Sequence, residues 1–171
     1  MNIGEELVLN EHQLLAGFEN GEFMPEDQVQ YLILHCSATR CDRDYTVKQL
    51  HADHKARGFR KIGYHFYIRK DGTMTQHRRL LEVGAHCRPF NRCSIGICYE
   101  GGLNESGKPA DTRTPAQKVR MNDLILNLQK LFPNAVVRGH RDMPGVKKDC
   151  PGFDVAELRL RARSATKDSS Q

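Results

Sequence analysis

Apolar positions along the chain fall into short runs set between longer stretches of helical period. Residues 30–36 form a β run rich in Leu and Ile. Gly63 to Arg69 reads as a second strand, and Asp71-Gly72 is a strong hairpin turn leading into a third at 73–77. Ser94 to Glu100 is a fourth, closed by Gly101-Gly102, and Ala135 to Arg138 is a short fifth that delivers His140.

The helical stretches announce their own starts. Thr46-Val47-Lys48-Gln49 has the Thr-x-x-Gln form in which each side chain satisfies a free backbone N–H, and it opens a helix ending near Gly58. Thr114-Pro115-Ala116-Gln117 repeats the form with Pro at the first helical position. Met121, Leu124, Ile125, Leu128, Leu131 and Phe132 follow as an i, i+3, i+4, i+7 stripe that must face a sheet, and Pro133 ends it. Asp154-Val155-Ala156-Glu157 caps a last helix, and a short helical piece lies around Glu11 to Phe18. Strands and helices alternate, yet one hairpin is explicit. The pattern predicts a single α/β domain with a mixed central β-sheet flanked by helices. Its expected limits are 29–163, after an N-terminal extension over 1–28 packed on the domain and before a loose tail over 164–171.

Bulk properties narrow the function classes. At 171 residues, 39% hydrophobic and 27% charged, the chain suits one ordinary core and not disorder. No apolar run approaches the ~20 residues of a membrane span, so no membrane partner is expected. The first residues lack a basic segment followed by an apolar one. The expectation is therefore a chain that is cytoplasmic as synthesised, with any export by another route. A net charge of +5 spread along the chain favours anionic polymers, but no nucleic-acid motif accompanies it. A monomer without nucleic acid is expected. Of the six cysteines, Cys36 and Cys98 lie in apolar runs, Cys87 and Cys93 flank a loop, and only Cys150 has a context that suggests chemistry.

That context is the last third of the chain. His140 ends an apolar run, Cys150 stands ten residues on before Pro151, and Lys148 is two positions before the cysteine. His35 stands near the end of the run at 30–36. Two imidazoles and one thiolate make a zinc site whose fourth position stays open, which is the catalytic arrangement. Each histidine alone is more often a hydrogen-bonded structural residue. Lys148 would bring an ammonium to a developing oxyanion, and Tyr64 a phenolic hydrogen bond. Reduced thiols are the default for the remaining cysteines. His54 shares the inward face of the first helix with Val47 and Leu50, so a satisfied core histidine is expected there, and not a metal pair with His51. On a regular strand His65 would point away from Tyr64, toward the helices.

These residues carry a resemblance. Leu34-His35-Cys36-Ser37-Ala38-Thr39, Gly63-Tyr64-His65-Phe66, Asp71-Gly72-Thr73, Gly84-Ala85-His86, Asn91 with Ser94-Ile95-Gly96-Ile97-Cys98, Thr114-Pro115-Ala116-Gln117, Gly139-His140 and Lys148-Asp149-Cys150-Pro151-Gly152-Phe153-Asp154 fall in order over residues 30–158. The pattern resembles the zinc-dependent N-acetylmuramoyl-L-alanine amidases related to T7-type phage lysozymes and the peptidoglycan recognition proteins. The resemblance implies hydrolysis of the amide between N-acetylmuramic acid and L-alanine in peptidoglycan, as in a phage or prophage endolysin or a wall-recycling enzyme. It further implies one zinc ion on His35, His140 and Cys150, catalytic assistance from Tyr64 and Lys148, and a substrate groove lined by His86 and Asn91. Related amidases sometimes use a strand glutamate as base, and Glu100 ends a strand here, but no carboxylate is clearly placed as the proton acceptor.

Two rival readings come from other classes. A non-catalytic peptidoglycan-binding receptor would use His86 and Asn91 without turnover; relatives without activity commonly lack the cysteine ligand, which is present here. A structural zinc module would need a fourth protein ligand, and no Cys or His supplies one at finger-like spacing.

Overall fold

The structure, a computed structural model, describes residues 22–158. The helical piece expected around Glu11 to Phe18 and the tail from Ser164 lie outside the described residues. In chain order the elements are β1 (Tyr31–Cys36), β2 (Thr39–Arg40), α1 (Val47–Ala56), β3 (Phe66–Ile68), β4 (Met74–Gln76), β5 (Ser94–Tyr99), β6 (Gly102–Leu103), α2 (Pro115–Leu131) and β7 (Val136–Gly139). The main sheet has five strands in the order β4-β3-β5-β1-β7. It is parallel throughout except for the β3–β4 hairpin, the mixed sheet that the pattern predicts.

Burial explains why β1 and β5 take the middle. Their runs are apolar at nearly every position, which suits parallel strands covered on both faces. On one face Leu32, Leu34, Phe66, Ile68, Ile95 and Ile97 meet Met121, Leu124, Ile125 and Leu128 of α2. On the other, Tyr67 and Cys98 pack with Leu50 of α1, and Ile33 with Cys87 and Met143. His35, two residues after Ile33, belongs to this second face by strand alternation.

Both predicted capping boxes form, at Thr46 with Gln49 and at Thr114 with Gln117. Gly58 follows α1 with φ +91°, the left-handed turn expected of its position. Leu131 departs from its stripe. It is 41% exposed because α2 ends there, and Phe132, 6% exposed, turns into the core in its place.

Strand β3 is shorter than Gly63 to Arg69. A Cβ on Gly63 would lie 2.1 Å from the Ala85 carbonyl oxygen, so the chain there docks against the 82–86 loop instead of continuing a pleat. The expected alternation of Tyr64 and His65 fails for this reason. His65 does not face the helices. Its Nδ1 accepts from the Gly96 N–H at 3.0 Å and its Nε2 donates to the Glu82 carbonyl at 2.6 Å.

The pairing of β2 with β6 was not anticipated. It continues the β1–β5 pair beyond a break at Ser37-Ala38 and Glu100-Gly101. Ala38 sits at φ 55° in that break. The Thr39 N–H donates to Gly101 O and the Gly101 N–H to Ser37 Oγ, which hold the kink closed. Residues 22–24 lie against 81–83: the Met24 N–H donates to Leu81 O and the Val83 N–H to Glu22 O, both at 2.8 Å. Among the described residues, no helix is long and apolar enough to cross a membrane.

Candidate active site

The register of the sheet assembles the site. Cys98 of β5 lies beside His35 and Gly139 of β7 beside Leu34, so the residue after Gly139 arrives next to His35. That residue is His140, whose ring lies 4.6 Å from that of His35, centroid to centroid. Cys150 comes from the loop after β7, tied back by its carbonyl accepting from the Arg141 N–H at 2.7 Å. The Pro151 carbonyl accepts from the buried Tyr99 hydroxyl at 2.6 Å. A Cβ on Gly139 would meet Pro151 Cδ at 2.9 Å, so glycine is what permits this close approach. The ligand atoms of His35, His140 and Cys150 all lie within 4.8 Å of one another.

The donor set fits a divalent cation of zinc type. Ligand bonds of about 2.0–2.3 Å span a separation of this order. His35 is buried, and its pKa is held well below the ordinary imidazole range by burial first, then by the His86 and His140 rings and the Lys148 ammonium. Burial and Lys148 lower His140 in the same direction. Both rings are thus neutral at pH 7, as ligation requires. The Cys36 N–H donates to Cys150 Sγ at 3.2 Å, a bond that favours the thiolate. Without a cation the Cys36 thiol beside it, and then burial, push the Cys150 thiol up; a bound metal reverses that balance.

The three residues line a cleft of about 1030 Å³ together with Tyr64, His86, Asn91 and Lys148. The structure therefore brings all seven expected site residues to one place. The Tyr64 ring lies 5.0 Å from that of His35. Burial, then the thiols of Cys98, Cys150 and Cys36, raise the Tyr64 phenol well above its ordinary range, so it stays a neutral hydrogen-bond donor. Lys148 is exposed.

His86 and Asn91 are more committed to the protein than a groove lining requires. Asn91 Oδ1 accepts from the backbone N–H of His86 at 2.9 Å and of Cys87 at 2.8 Å. Both ring nitrogens of His86 have protein partners, His35 Nε2 at 2.9 Å and Ser94 Oγ at 3.2 Å. A role for Ser94 at His86 was not anticipated, since the sequence offers it only as the first residue of the Ser94-Ile95-Gly96-Ile97-Cys98 strand. Glu100 does not line the cleft; it is 1% exposed and accepts from Arg69 and from the N–H groups of Tyr45 and Lys70. His54 also borders the cleft but is satisfied, its Nδ1 accepting from the Gly63 N–H at 2.9 Å. All six cysteines are free of disulfides.

Comparison with known proteins agrees with this geometry. The family model described as N-acetylmuramoyl-L-alanine amidase matches residues 25–153. The endolysins of Enterobacteria phages T3 and K11 are 36% and 35% identical over 147 residues, covering 86% of this chain and 96% of each of theirs. The solved structure of the endolysin N-acetylmuramoyl-L-alanine amidase LysCS from Clostridium intestinale URNW superposes with a TM-score of 0.68 at 28% identity, over 84% of this chain and 92% of that one. With the cleft, its ligand cluster and these likenesses together, the chain belongs to the N-acetylmuramoyl-L-alanine amidase family and is a hydrolase of the peptidoglycan amide.

Proposed function

We propose that this amidase is zinc-dependent, with His35, His140 and Cys150 as the ligands of one ion and Tyr64 and Lys148 as the catalytic residues. The observation that carries the reading is the convergence of two imidazoles and one thiol within 4.8 Å in the cleft. A zinc ion held there supplies Lewis-acid polarisation of the scissile carbonyl and a water of lowered pKa.

The chain's own groups do the rest. The lactyl–alanyl carbonyl binds beside Tyr64 and Lys148, which both line the cleft with His35. Tyr64 remains protonated and donates to the carbonyl oxygen, or orients the attacking water. Lys148 donates to the oxygen as negative charge develops on it in the tetrahedral intermediate. Arg57, Arg88 and Arg92 also line the cleft, with Glu22 as the carboxylate among its described lining residues. That balance favours stem peptides, which carry carboxylates. The endolysin relatives support the wall of a bacterium as the setting; a separate phage-type pore is the route by which the chain would reach it.

Two variants test the assignment. Cys150→Ala is expected to lose both the metal, measured by elemental analysis after gel filtration, and turnover of peptidoglycan. Lys148→Ala is expected to keep the metal and lose roughly 10²–10³ in kcat, the usual cost of removing one oxyanion donor. An active, metal-free Cys150→Ala protein would remove the triad, and full turnover in Lys148→Ala would remove the lysine.

A further inference from the structure

The hydrogens around His86 follow from the contacts of Ser94. The Phe90 carbonyl can only accept, so Ser94 Oγ spends its single proton on it at 2.7 Å. Ser94 Oγ, completely buried, is then an acceptor toward His86, 3.2 Å away, and His86 Nε2 must carry a proton. A neutral His86 has a bare Nδ1, which accepts from His35 Nε2–H at 2.9 Å. His35 in turn is left with its lone pair on Nδ1.

We infer that Ser94 and His86 form a proton-ordered chain, Phe90 C=O to Ser94 to His86 to His35, that fixes the tautomer of His35 and makes its Nδ1 the metal-binding nitrogen. His86 is thereby a positioning residue acting through His35, in addition to bordering the groove. The inference rests on the zinc reading above. Outer partners of this kind hold ligating imidazoles in one orientation and typically matter 10–100-fold in metal affinity.

The fold reserves a slot for the ring that makes this link. A Cβ on Gly96 would come within 2.7 Å of His86 Cγ, and one on Gly84 within 2.7 Å of His86 Cδ2. The imidazole therefore lies flat against β5, where only glycine leaves room. Asn91 clamps the backbone of the same residue from the loop side. Two bare glycines, one amide clamp and both ring nitrogens bonded leave His86 a single orientation.

Long-range proton–nitrogen correlations on metal-free protein labelled in its histidine rings read the protons directly. His35 and His86 are both expected to carry the proton on Nε2 with Nδ1 bare. A proton on His35 Nδ1 overturns the inference, whatever the protein does with metal. Chelator competition then measures zinc affinity. Ser94→Ala and His86→Ala are expected to weaken it 10–100-fold. His86→Asn, whose Oδ1 falls near the place of Nδ1 and can accept from His35, is expected to recover most of the loss. Folded variants that bind zinc within twofold of the parent protein refute the positioning role. Failure of the parent protein itself to bind zinc would instead overturn the metal reading, and the ring protons would still decide the direction of the chain.

Discussion

Histidines crowd this protein because several must stay neutral in confined places. His65 is completely buried, and burial brings its pKa down to about 4. His54 is lowered to about 4 as well, by burial first and then by Arg57. Because the folded state holds these values below the unfolded imidazole, the unfolded chain takes up protons first as the pH falls. The stability they contribute is complete above pH 6.5 and is lost as the pH falls through about 4. His65 alone is worth about 3 kcal/mol over that window. Thermal melts of metal-free protein at pH 7 and pH 4.5 should show a lower midpoint in acid, reduced in a His65 variant that still folds. A pH-independent midpoint would contradict the account. The same bonding keeps His54 out of the reaction as a base, since its Nδ1 lone pair is engaged by the Gly63 N–H. His35, His140 and Cys150 were legible because each stands where an apolar run or a proline punctuates the chain. His86 was legible only as a groove residue, since its link to His35 spans 51 positions and depends on where Ser94 sends one proton.

Helix α2 shows what periodicity reads well and what it does not. Its apolar stripe and its start at Thr114 were plain, yet Gln117, a polar residue read only as half of a capping box, is completely buried. Its Oε1 accepts from the Thr114 N–H, while its Nε2 donates to Ile68 O at 3.2 Å and Glu100 O at 3.0 Å. One amide thus caps the helix and bolts it to the ends of β3 and β5. Gln117→Ala takes the side-chain partner from the Glu100 carbonyl and the Thr114 N–H, while Ile68 O keeps the Glu100 N–H at 2.8 Å, so urea unfolding should report a loss of roughly 2–4 kcal/mol. Thr114→Ala, losing its cap and a bond to Lys70 O at 2.6 Å, should cost about 1–2 kcal/mol. Equal effects would mean the bolt is unimportant. Strand limits were less legible for a related reason. Gly63 reads as a strand residue from its neighbours, whereas its close contact with Ala85 depends on a loop 22 residues away. The β2–β6 pair escaped because two residues per strand carry no alternation to read.

At the scale of the molecule, the site lies where the parallel strands end. His35 is the last residue but one of β1 and His140 follows β7, so the carboxyl ends of neighbouring strands deliver both imidazoles to one cleft, the usual place for a ligand in an open α/β sheet. The opposite face is given over to α2 and the larger core. This division explains why short motifs scattered over residues 30–158 were informative together: most of them mark strand ends, helix starts or loops around one rim. The central claim is metal-dependent cleavage of the wall amide, and one experiment reaches it directly. Zinc-loaded protein is incubated with purified peptidoglycan, with and without chelator, and the soluble products are read by mass spectrometry. The account predicts free stem peptides that begin with L-alanine, lost on chelation and restored by zinc. Retention of wall fragments with no released peptide, or release that chelation leaves unchanged, would contradict it.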